Sequence, residues 1–156
     1  MLFVSHKYNV CLVKLTTCRG SIPRLLLGGH KMKALSVRGD YVLDMIAGKK
    51  KIEYRTWYTK YRGDLLMCST AKKVAGAVPG YALCVVNLDS VEYCEEDDFY
   101  HWNISNVRVI KPIHVKGQLK LFNVPNKLIK VISKDQFEDE IKPLIYQPKF
   151  RRKKRN

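Results

Sequence analysis

The chain has 156 residues, an apolar fraction of 46 % and a formal charge of +15. That length suits one well-buried domain and is short for two, and no apolar run approaches the roughly 20 residues that a membrane-spanning helix needs. The charge is uneven: residues 1–31 carry +5, residues 149–155 carry +6, and the whole middle only +4. Such a balance favours polyanionic partners, nucleic acid first. Five cysteines, odd in number and without a C-x-x-C pair, fit reduced thiols in a cytoplasmic protein rather than a disulfide framework.

Residues 1–31 show no clean period and no acid, and read as a dispensable, disordered extension ahead of Met32. Lys33–Val37 alternates as a short strand. Asp40 suits a helix N-cap, Val42, Met45 and Ile46 recur at helical spacing, and Gly48 stands where a C′ glycine ends a helix. Residues 51–57 then read as a strand with Ile52, Tyr54 and Thr56 on one face and Lys51, Glu53, Arg55 and Trp57 on the other. A carboxylate between two cations is either a salt-bridged, solvated face or a site that grips a polar group from two sides. Tyr54, sharing the face of Ile52, is expected in the core.

Residues 58–64 form a turn, and Leu65–Cys68 a strand buried on both sides. Ser69 follows it and is expected to face a cleft. Tyr81–Leu88 is the most apolar strand and central. Glu95–Asp98 is an acidic, solvated loop, and Phe99–Trp102 an aromatic cluster at a lid or core edge. Val107–Ile110 is a strand, interrupted by Pro112. Residues 118–124 alternate through Leu119 and Leu121. Asp135–Ile141 suits a short helix, with Pro143 and Pro148 leading to a basic tail at 149–156. Short strands punctuated by Gly and Pro turns predict a small barrel, with one main helix between its first two strands. His101, His114 and Cys94 match no zinc-ligand spacing, so neither a metal nor a cofactor is expected.

Gly48, Lys50, Glu53 and Arg55 stand as G-x-K-x-x-E-x-R, which resembles the signature of the ASCH domain family. Lys33–Arg38 is similar to the family's opening strand and Asp40–Gly48 to its first helix. Tyr61–Ser69 is similar to its YRG block and buried strand, and Pro112–Gly117 with Leu119–Phe122 to its closing strands. The likeness covers residues 33–125, and the domain is read as 32–148. The resemblance implies an α+β fold, a small PUA-like β-barrel, with a cleft that binds RNA or a modified nucleoside, DNA being a further option. In such a cleft Arg38, Lys50, Glu53, Arg55, Trp57, Ser69 and Lys116 would be the binding residues. Lys50 and Arg55 suit a phosphate or base edge, Glu53 an exocyclic amine, and Trp57 a stacked base.

Some ASCH-like proteins are amidohydrolases of N4-acetylcytidine that use a Lys, a Thr and a later Glu. Lys50 matches the Lys. Glu53 stands where the Thr would be, and the later position falls near Val86 and Asn87, without a carboxylate. The alternative to a binding module is therefore a small hydrolase of modified nucleosides, or a ribonuclease. In it Glu53 would act as general base and Lys50 would stabilise an oxyanion.

Overall fold

The computed structural model describes residues 29–145. The N-terminal extension up to residue 28 and the basic tail lie outside the described residues. Six strands form one curled half-barrel sheet in the order β2-β5-β4-β3-β1-β6. They are β1 (Lys31–Val37), β2 (Ile52–Arg55), β3 (Gly63–Ser69), β4 (Tyr81–Cys94), β5 (Phe99–His114) and β6 (Leu121–Pro125), with helices α1 (Gly39–Ile46) and α2 (Lys134–Ile145). The expected α+β class and small PUA-like barrel are what the structure has.

β1 lies parallel to β3, and every other pairing is antiparallel. β3 is central, so Leu65 and Met67 feed the core beneath the helices while Leu66 and Cys68 feed the opposite one. A strand buried on both faces cannot alternate in polarity, which accounts for its continuous apolar run. Three register shifts along β4–β5 bend this long hairpin and curl the sheet.

Helix α1 packs Val42, Met45 and Ile46 into the first core, as its spacing predicts. Its end is a Schellman motif: Lys49 N–H donates to the Asp44 carbonyl at 2.9 Å and Gly48 N–H to that of Met45 at 3.0 Å. Gly48 supplies the φ of +76° that this closure requires. The N-terminus differs from expectation. Arg38 holds the N-cap position without a side-chain cap, and Asp40 lies in the first turn, paired with Arg38.

Of the two readings of Phe99–Trp102 the core edge holds and the lid does not, since it is the start of β5 with Trp102 fully buried. Three further readings change. Pro112 stays inside β5, at a stretch beside a register shift where β4 asks for no ladder donor. Leu119 is exposed, because β6 starts only at Leu121. A second helix, longer than α1, runs to Ile145 through Pro143. It starts from a capping box in which Ser133 Oγ accepts from Gln136 N–H and Gln136 Oε1 accepts from Ser133 N–H. Its Phe137 and Ile141 cover the same core as α1. No helix among the described residues is long and apolar enough to cross a membrane.

Candidate functional site

The loop after α1 and edge strand β2 deliver Lys50, Glu53 and Arg55 to one place. The alternation of β2 is as predicted, but its faces are exchanged. Glu53 is only 5 % exposed, whereas Tyr54 is 46 % exposed and packs edge-on against His101, not into the core. Glu53 lies opposite Trp102 in the β2–β5 ladder, and Trp57 stands edge-on to the Trp102 ring, 4.7 Å between centroids. The bulk of these two tryptophans turns this face of β2 inward and carries Glu53 with it. A solvated, salt-bridged strand surface is thereby excluded for Glu53.

The buried carboxylate sits between two cations. Arg55 Nη2 is 3.0 Å from Glu53 Oε1, and Lys50 Nζ is 3.4 Å from Oε2. Burial raises the Glu53 pKa above its ordinary value, against the opposing pull of Arg55 and Lys50. Arg55 Nη2 also donates to the Ser36 carbonyl at 2.7 Å. In the sheet order three strands separate β2 from β1, so this bond spans the open side of the curl.

Lys50 Nζ lies 4.9 Å from the Tyr41 ring centroid and 4.8 Å from that of Tyr54. Arg38 lies 4.6 Å from the Tyr41 ring. The rim therefore runs Arg38, Tyr41, Lys50, Tyr54, exposed except at the half-buried Lys50, with Glu53 and Arg55 beneath it. Sequence reasoning missed Tyr41 and misplaced Tyr54. A tyrosine on the polar face of an amphipathic helix was the available signal for the first.

Among the buried side-chain polar atoms of the described residues that have no hydrogen-bond partner, Glu53 Oε2 and Arg55 Nε lie within this ion cluster, Oε2 with only the Lys50 charge at 3.4 Å, and Trp102 Nε1 belongs to the residue opposite Glu53. Buried polar atoms are nearly always paired, so these orphans demand an explanation. Ser36 Oγ lies on the other face of β1, where a Cβ on Gly117 would meet it at 2.7 Å.

The remaining expected residues fall outside this group. Ser69 is buried, and its hydroxyl both donates to the Tyr81 carbonyl and accepts from the Tyr81 N–H, each at 3.0 Å. Trp57 packs against the core. Lys116 lines a neighbouring cleft of about 570 Å³ together with His114, Gly117 and Leu119, and Ser36, whose carbonyl accepts from Arg55 of the Lys50–Glu53–Arg55 triad, lines it too. His114 packs on Tyr81, at the opposite end of β5 from His101. Instead, Cys94, Asp97 and His101 come together at the β4–β5 turn.

A curled half-barrel closed on one side by Arg55, with a buried carboxylate and two cations under an aromatic rim, defines a small PUA-like domain with a polar cleft. The family model of the ASCH domain matches residues 35–140, more than half of the chain, and the protein belongs to the ASCH domain family. No curated protein matches the sequence.

Proposed function

We propose that the protein binds RNA, or a modified nucleoside within it, in the cleft formed by Ser36, Tyr41, Lys50, Glu53, Tyr54 and Arg55. The observation that carries this reading is the buried Glu53 carboxylate held between Lys50 and Arg55 beneath an aromatic rim. Glu53 Oε2 is an acceptor, and Arg55 Nε and Trp102 Nε1 are donors, none of them with a hydrogen-bond partner. A base edge offers the complementary amine, carbonyl and ring-nitrogen groups. Tyr41 and Tyr54 offer exposed ring faces for stacking, and Lys50 and Arg38 are placed for a phosphate. Single-stranded DNA carries the same base edges and is a weaker form of the same reading. The basic termini would add salt-dependent attraction without base choice. A cytoplasmic setting fits the free thiols of Cys68, Cys84 and Cys94.

A second reading rests on the raised pKa of Glu53, the property of a general base, with Lys50 beside it. In that reading the protein hydrolyses a modified nucleoside or RNA.

Titrating labelled single-stranded RNA into the full chain across a salt series tests the first. Lys50→Gln should lower the salt slope by about one, and Glu53→Gln should weaken binding at unchanged slope. Unaltered affinity in both variants at every salt concentration would overturn it. A mass change in the recovered RNA, lost in Glu53→Gln, would favour the hydrolase.

A further inference from the structure

The other face of the β4–β5 hairpin carries a set of groups that the cleft does not use. Cross-strand partners share a face, so His101 points with Tyr54 away from Glu53 and Trp102. Cys94 stands diagonally across from His101, and the turn that follows Cys94 brings Asp97 back over both. Their donor atoms all lie within 4.8 Å of one another. The spacing C-x-x-D-x-x-x-H follows no cysteine-pair pattern, and only the hairpin makes these residues neighbours.

We propose that Cys94, Asp97 and His101 form a binding site for one divalent transition-metal ion of the zinc class, with water as the fourth ligand. A thiolate, an imidazole and a carboxylate are the donors such an ion takes, and the soft sulfur and nitrogen disfavour calcium and magnesium. The geometry needs little adjustment. His101 Nε2 and Asp97 Oδ2 are 2.7 Å apart, and two metal bonds of about 2.0 Å at a tetrahedral angle need roughly 3.3 Å. Rotations of the two side chains by a few tenths of an ångström each open that gap.

Supporting contacts already orient these ligands. Asp97 Oδ1 accepts from the Phe99 N–H at 3.2 Å, leaving Oδ2 to the cluster. The Tyr54 ring stands edge-on to the His101 ring at 4.9 Å and restrains it. Tyr93 hydroxyl donates to Asp98 Oδ1 at 2.6 Å, pinning the turn. Outer contacts of this kind fix ligand orientation in metal sites. Glu92 is opposite His101, but Ser90 and Asn103 hold its Oε1 at 2.6 and 3.3 Å, so the fourth position goes to solvent. On binding, Cys94 gives up its thiol proton to solvent and its sulfur binds as thiolate, His101 gives the lone pair of Nε2 with its ring proton carried on Nδ1, and Asp97 gives a lone pair of Oδ2 in place of its contact with His101.

Cobalt titration of the reduced full chain tests the site. The expected result is one ion per chain, with a near-ultraviolet thiolate-to-cobalt band and the strong visible bands of a four-coordinate ion. Cys94→Ser should remove the thiolate band, and His101→Gln should weaken affinity at least tenfold. Zinc should displace the cobalt. Circular dichroism and thermal melting report whether each variant stays folded, and all three side chains are partly or wholly exposed. Cys68 and Cys84 do not compete, because burial pushes each thiol up to about 12, and a Cys11→Ser, Cys18→Ser background leaves Cys94 as the one other thiol in every titration. A thiolate band that survives in Cys94→Ser, or no band in the wild type, would overturn the proposal.

Discussion

Glu53→Gln separates a carboxylate kept for the fold from one kept for a ligand. Glu53 is 5 % exposed, with Arg55 at 3.0 Å and Lys50 at 3.4 Å. At an effective dielectric of about 20 each pair is a gross attraction of roughly 5 kcal/mol, opposed by a burial cost of several kcal/mol. Burial is the larger influence, since the pKa lies above its ordinary value. The native state therefore holds this proton more tightly than the unfolded chain does. The stability Glu53 contributes is full below its unfolded pKa and is lost as pH rises through its folded one. The ionised side chain is thus a net cost at neutral pH, about 1.4 kcal/mol for each tenfold difference in proton affinity.

Gln keeps the shape without the charge. Arg55 retains the Ser36 carbonyl and Lys50 its two tyrosine rings. Urea unfolding across a pH series should show the two proteins equal in acid. Towards neutrality Glu53→Gln should become the more stable of the two, with the higher Tm. RNA binding should fall at the same time. A loss of about 3–5 kcal/mol at neutral pH, the usual result of breaking a buried pair that holds a fold, would refute this reasoning.

Tyr54→Ala removes an exposed ring and should leave stability within about 1 kcal/mol of the wild type. It should cost about 1–3 kcal/mol of RNA affinity by titration, the worth of one stacked base. Gly117→Ala should press its Cβ on Ser36 Oγ and shift urea unfolding by less than about 1 kcal/mol; Ser36→Ala should then make the glycine substitution silent. Gly48→Ala meets no atom within 4 Å, so its cost is that of the left-handed backbone alone, about 1–2 kcal/mol by chemical denaturation.

The parts of the fold written in local chemistry were legible. Gly48 announced the end of α1, Leu65–Cys68 announced a doubly covered strand, and G-x-K-x-x-E-x-R led to the triad. What depended on distant partners was not. Nothing within β2 says which of its two faces meets Trp102, 49 residues after Glu53 in the chain, so the strand was read inside out. Pro112 broke a local pattern that a register shift in β4 tolerates. Ser69 looked like a cleft residue because its bonding partner, the Tyr81 backbone, is a neighbour only in the sheet. Ser36 carries no chemical signal of its own and joins the site through its carbonyl, which curvature brings to Arg55.

An inward charge on an edge strand has another known use. Edge strands deter pairing with other chains by pointing a charged residue into the sheet, and β2 is such an edge. That use explains one buried charge, which a carboxylate satisfied on all sides would serve as well. It does not explain why Glu53 Oε2 and Arg55 Nε are each left without a hydrogen bond inside one ion cluster, or why Trp102 Nε1, on the residue opposite Glu53, is too. Removing the orphans would have been simple, since Phe in place of Trp102 keeps the bulk and drops the donor. Protection of an edge asks for charge alone, whereas recognition of a polar ligand asks for donors and acceptors held open. Recognition is the use proposed for the Lys50–Glu53–Arg55 group, and the gain in stability expected of Glu53→Gln follows from the burial of its charge.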